Sequence, residues 1–242
     1  MQINSCKNCN EPINENYCSN CGQPTKLKRI DSRYIIREIA SAFNAERGML
    51  YTTKKMLTSP GESIKHYITE NRTRYVKPIT FLIITSLIYT LVSHIFHIGA
   101  NEYSLQQSEI EIPTLTIFIN WMIDYNGYLS IITGFFIAFP IKLFFRKSGF
   151  NLFEIFVLLC YLSGIASLIF SVVLIFQGLI HLNLIHITVL IVLIYYTWAI
   201  GQFFDKRKTV SYIKAFLSYL LGLAVFSFLI TFIAIFVDII MQ

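Results

Sequence analysis

Four cysteines near the start of the chain carry the most chemistry. Cys6, Cys9, Cys18 and Cys21 form two Cys-x-x-Cys pairs with eight residues between them. Two such pairs across a short loop are a metal-binding pattern. Each pair makes a tight turn whose amides face the sulfurs, and two turns supply four thiolates in a tetrahedron. Structural zinc suits four soft ligands with no open position, and the closed set leaves no place for a catalytic water. Gly22, just after the second pair, fits a turn residue of positive φ. A bound metal would also supply folding energy to about 20 residues that cannot build a core. Iron in a rubredoxin-like site, a redox pair and two disulfides are the competing readings. Cys160, within an apolar run, reads as a small buried apolar residue.

The histidines make a second constellation. His94 and His97 stand three residues apart on one predicted helix face, and His181 and His186 lie on the same side of the membrane in the topology derived below. Asp238 falls at a similar depth. Converging imidazoles and a carboxylate could hold a transition metal or relay protons on the outer side; the plain alternative is histidine tolerated at an interface. No phosphate-binding glycine loop, nucleophile elbow or His-Glu-x-x-His helix occurs, so no catalytic residue is assigned and the chain reads as non-enzymatic.

The elements that must position these residues follow from composition. Of 242 residues, 55% are hydrophobic and 14% charged, against about 25% charged in an ordinary soluble domain. Residues 1–77 carry 13 Lys or Arg against 7 Asp or Glu, whereas residues 78–242 hold 7 of each. The expectation is a small polar head, a zinc ribbon over 1–25 and basic amphipathic helices over 26–77, ahead of a membrane domain over 78–242. The first 30 residues lack the apolar h-region of a cleavable signal peptide. A helix needs roughly 20 apolar residues to cross about 30 Å of hydrocarbon. Five segments qualify, at about 79–98, 128–145, 152–176, 184–204 and 215–240, with Pro140 a predicted kink in the second. The fold class is therefore an all-α integral membrane protein of five transmembrane helices.

Threading five spans places the head, the loop 142–150 and the loop 205–214 on one side, and these hold all 20 Lys and Arg residues. The other side holds none. Basic loops stay cytoplasmic, so the N-terminus is expected in the cytoplasm and the C-terminus outside. That places the four cysteines in a reducing compartment and disfavours disulfides. Residues 112–126 are apolar but too short to cross. They read as an interfacial helix anchored by Trp121 and Tyr125, or as the start of one long, tilted second span.

Residues 31–77 read as helices with greasy faces: Ile35, Ile36, Ile39, Ala40 and Phe43 after Asp31-Ser32, then Met49, Leu50, Thr53, Met56 and Leu57, then Ile64, Tyr67 and Ile68 after Ser59-Pro60-Gly61. Arg33, Arg37, Arg47, Lys54, Lys55 and Lys65 stud the opposite faces, and Arg72, Arg74 and Lys77 cluster beside the first span. Such a basic collar suits anionic lipid or a cytoplasmic partner; alternatively its helices pack on the membrane domain itself. Nucleic acid is a poor fit, because the ribbon carries only Lys7 against Glu11 and Glu15.

The stretch from Cys6 to Phe81 resembles an uncharacterised bacterial family of multi-pass membrane proteins with an N-terminal zinc ribbon, a domain of unknown function. The shared features are Cys-x-x-Cys…Cys-x-x-Cys-Gly-Gln (Cys6 to Gln23), Gly48, Thr52, Ser59-Pro60-Gly61, Ile64, Tyr67, Ile68, then Asn71-Arg72-x-Arg74-Tyr75-x-x-Pro78 and Phe81. The resemblance implies a protein of the bacterial inner membrane with a cytoplasmic ribbon, and lends no reaction. The functional expectation is a scaffold or sensor whose ribbon and collar (Arg33, Arg37, Lys54, Lys55, Arg72, Arg74, Lys77) bind a cytoplasmic partner or anionic lipid. The rival is a transporter or channel-like protein, dimeric because five spans suit inverted repeats poorly, with the outer histidines at its mouth.

Overall fold

The computed structural model describes residues 4–5, 12–13, 19–20, 48–70, 75–96, 126–180 and 182–241. The chain divides into two units, Met1–Ala45 and Glu46–Gln242. In the first, two short strands, β1 (Asn4–Ser5) and β2 (Pro12–Ile13), pair antiparallel with Asn4 opposite Ile13 and Ser5 opposite Pro12. Ser19 and Asn20 lie in a turn. Cys6, Cys9, Cys18, Cys21, Arg33 and Arg37 fall outside the described residues, as do the predicted helix after Asp31 and residues 112–125.

The secondary structure described in the second unit is all helical: α1 (Gly48–Thr58), α2 (Pro60–Thr69), α3 (Pro78–Phe96), α4 (Asn126–Phe144), α5 (Leu152–Ile180), α6 (Ile185–Asp205) and α7 (Thr209–Met241). The five from α3 onward are each long and apolar enough to cross a membrane, which makes a lipid bilayer their environment and the chain a multi-pass membrane protein. Their positions agree with the five predicted spans except at two ends. α5 runs on to Ile180, and α7 begins at Thr209 rather than near Ala215. Hydropathy sees only the part inside hydrocarbon, whereas a helix of 33 residues is about 50 Å long and outruns a core of about 30 Å. α4 continues through Pro140 to Phe144. Gly149, at φ 82°, then turns the chain after a short 3-10 segment and sends it into α5.

α5 is the central post. Its residues from Leu158 to Ala166 are all buried, as are Ile155, Leu174 and Gln177. Its glycines are notches for α3: a Cβ on Gly164 would lie 2.6 Å from the Phe81 ring, and one on Gly178 would meet the ring of Phe96. The contacts advance together along both helices, so α3 and α5 run in parallel. Buried hydroxyls on these spans mostly bond within their own helix. Thr85 donates to the Phe81 carbonyl (2.9 Å) and Ser171 to that of Ser167 (2.7 Å), which satisfies them without water. An interhelical exception joins Ser163 of α5 to Tyr196 of α6 (2.8 Å). These two, with Ser130, Thr133 and Tyr219, line a cavity of about 160 Å3 among α4 to α7.

The start of α3, the end of α4, the start of α5, the end of α6 and the start of α7 share one end of the bundle. Every described Lys and Arg lies there, on α1 and α2, at Lys77, and on the segments 142–147 and 206–214. The described carboxylates at that end are Glu62, Glu70, Glu154 and Asp205, so the end is strongly cationic. Asp238 is the described carboxylate at the other.

Candidate functional site

The cationic end is closed by α1 and α2, folded into a hairpin. Thr58 bonds back to the Lys54 carbonyl (2.9 Å) at the end of α1. Ser59 makes the corner: its amide still donates to the Lys55 carbonyl (2.9 Å), while its own carbonyl already accepts the Ser63 amide of α2 (3.0 Å). Pro60 suits the first turn of α2, where its missing N–H costs nothing. Thr52, Met56 and Ile64 are wholly buried on the inner side, and Tyr67 and Ile68 pack partly buried against the same core. The hairpin therefore spends its apolar inner face on the protein. Of the two sequence-based alternatives, packing on the membrane domain is the one this face takes. Leu50 and Leu57 instead point outward, at 77% and 49% exposure, beside exposed Lys54.

Hydrogen bonds tie the hairpin and the lead-in of α3 to two spans. Tyr195 of α6 donates its hydroxyl to the Met56 carbonyl (3.0 Å), and Tyr161 of α5 donates to the Val76 carbonyl (2.6 Å). The Val76 amide donates to Thr52 Oγ1 (3.0 Å), tying the lead-in of α3 to α1. The Gly61 amide donates to Gln202 Oε1 of α6 (2.8 Å). Here the backbones nearly touch, since a Cβ on Gly61 would lie 2.6 Å from the Gln202 carbonyl carbon. Rings fill the seam: Tyr67 meets Tyr75 and Tyr161 edge-on at 6.0 and 5.5 Å, and Tyr161 meets Phe81 at 5.7 Å. At the rim, Lys206 pairs with Glu62, and the Lys65 ammonium stands 5.7 Å from the Phe150 ring. Both rim pairs are exposed, or nearly so, and stabilise little compared with the buried contacts.

This geometry gives reasons for the motif residues. Thr52 accepts a buried amide, Gly61 permits the close approach, and Ile64, Tyr75, Pro78 and Phe81 are core. Sequence reasoning missed their partners. Tyr161 and Tyr195 sit inside apolar runs, and Gln202 and Lys206 are far along the chain from α2. One missed residue did carry a signal. Glu154 accepts the Asn151 amide (2.7 Å) while Asn151 Oδ1 accepts the Glu154 amide (2.8 Å). Asn-x-x-Glu ahead of an apolar run is a capping box. Lys142 donates to the Phe150 carbonyl.

Of the predicted collar cations, Lys54 and Lys77 are exposed and Lys55 half-buried at the cationic end, while Arg72 and Arg74 fall outside the described residues. Of the outer constellation, His94 and His186 are exposed and Asp238 half-buried; His97 and His181 lie outside the description. Among the described residues no three His, Cys, Asp or Glu side chains are grouped to hold a metal.

Residues 46–90 match the model of a family described as "Protein of unknown function (DUF3667)". The match covers the hairpin, its lead-in and the first two-thirds of α3. No curated protein and no solved structure matches the chain.

Proposed function

We propose that the chain is a non-enzymatic scaffold or sensor of the bacterial inner membrane, and that its cationic end faces the cytoplasm and docks on anionic surfaces. The carrying observation is the hairpin itself. Tyr195 and Gln202 of α6 hold it through hydrogen bonds to Met56 and Gly61, its Tyr67 ring packs on Tyr161 of α5, and Thr52 ties it to Val76 just before α3. A surface event on α1 or α2 is therefore passed to three spans. With the inner face consumed, the hairpin offers outward Lys54 beside Leu50 and Leu57, a pairing of cation and apolar side chain that suits a lipid surface. The concentration of described Lys and Arg at one end supports the cytoplasmic orientation.

The four cysteines belong to this reading as a structural zinc ribbon ahead of the hairpin. Their spacing supports it, and so do the short ladder on either side of the Cys6–Cys9 segment and the turn at Ser19–Asn20 between Cys18 and Cys21. Zinc would organise a recognition surface and supply no reaction.

The test uses the full chain, because a fragment without the bundle would leave Met56 and Ile64 uncovered. Protein held in neutral nanodiscs is mixed with phosphatidylglycerol vesicles and sedimented. Binding at low ionic strength that fades with salt, and weakens when Lys54 and Lys55 are both changed to Glu, is the expected result. Absence of vesicle binding at any salt concentration would refute the reading.

A further inference from the structure

Beside the hairpin, an open cleft of about 680 Å3 lies between α2, the first turn of α3 and the first turns of α5. Sites for small molecules span about 300–1,000 Å3. Ile68, Ile79, Phe156 and Val157 make the walls largely apolar, and Phe153 and Ile79 are 75% and 53% exposed. Since α3 and α5 are spans, those exposed apolar side chains belong to lipid, and the cleft opens sideways into the bilayer. Lys77 and Glu154 also line it. Lys77 immediately precedes α3, at the depth where headgroups lie. Glu154 is held in place by its capping box with Asn151, which occupies one carboxylate oxygen, Oε2. Lys77 and Glu154 form no ion pair with each other. One cleft thus presents an apolar slot, a cation and a carboxylate, neither charge paired with a counter-charge among the described residues.

We propose that the cleft holds one phospholipid of the surrounding leaflet with a phosphoethanolamine headgroup. An acyl chain fills the apolar slot, the phosphate meets Lys77 and the primary ammonium meets Glu154. A phosphoglycerol headgroup brings nothing for the carboxylate and adds repulsion. A choline headgroup brings a cation that cannot donate a hydrogen bond to it. The inference rests on the cationic end facing the cytoplasm, as proposed above, and not on that end attracting anionic vesicles, so either can fail alone.

The test is native mass spectrometry of the delipidated full chain in mild detergent, with equal amounts of phosphatidylethanolamine, phosphatidylglycerol and phosphatidylcholine. The expected result is one retained phosphatidylethanolamine, favoured about fivefold over each competitor. Glu154→Gln keeps the capping bond, since Gln serves in the same box, and should erase the preference. Lys77→Ala should weaken retention of all three about fivefold. Equal retention of the three lipids by the unaltered protein, preference for phosphatidylglycerol, or a preference that survives Glu154→Gln would overturn the proposal. If a variant fails to fold, the three-lipid comparison on the unaltered chain still decides.

Discussion

Gly61 shows how a single side chain governs the docking. The hairpin can approach α6 closely enough for the Gly61 amide to reach Gln202 only because nothing stands between the two backbones. Gly61→Ala would push a methyl group against main chain that cannot rotate away. Overpacking of this kind costs about 1–3 kcal/mol. The expected outcome is a lower melting temperature for the full chain in detergent and faster proteolysis between residues 46 and 77; an unchanged melting temperature would contradict the packing described. Gly61 stands out in the sequence, as part of Ser-Pro-Gly, but its reason does not, because the partner lies about 140 residues away. The cysteines are the reverse case, with the chemistry plain in the spacing. Under the ribbon proposal the purified chain carries about one zinc, and Cys18→Ser lowers that content steeply by elemental analysis. Iron in its place, or full zinc in the variant, would refute the ribbon.

At the scale of elements, α1 and α2 have 11 and 10 residues. Isolated helices below about 12–15 residues are marginal in water, so these two owe their existence to the bundle. A synthetic peptide of residues 46–77 should show little helix by circular dichroism in buffer. A fully helical, monomeric peptide would mean that the hairpin is an independent domain rather than a docked one. Periodicity made both helices legible, and Met56 and Ile64 were correctly among the apolar positions. It could not orient α1. Leu50 and Leu57 fall in the same apolar run as Met56 yet face outward; under the lipid-docking proposal α1 meets an apolar environment on two sides, which one helical period cannot tell apart. The five spans were legible for the same physical reason in reverse: hydrocarbon length is fixed, and only the polar extensions, such as Thr209 to Lys214 of α7, escaped the hydropathy pattern. The tyrosine donors were not legible. Tyr161 and Tyr195 look like ordinary apolar-run aromatics, and nothing local marks them as partners of carbonyls 85 and 139 residues away.

For the whole molecule, the hairpin and the bundle form one body at the cationic end, with the hairpin bonded to α6, packed on α5 and tied through Thr52 to the residues just before α3. Under the docking proposal, that arrangement is what would couple surface recognition to the membrane domain, where a soluble head on a passive anchor would not. The rim pair Glu62–Lys206 gives a direct readout that needs no substitution, because a zero-length carbodiimide reagent joins a carboxylate and an ammonium only when they already touch. Lys208 and Asp205, paired at 3.0 Å within their own loop, supply an internal positive control. Treatment of native membranes followed by peptide mass spectrometry should yield a Glu62–Lys206 isopeptide alongside the Asp205–Lys208 one, and Glu62→Gln should remove the first alone. Recovery of the Asp205–Lys208 link without any Glu62–Lys206 link would contradict the docked hairpin and the coupling built on it.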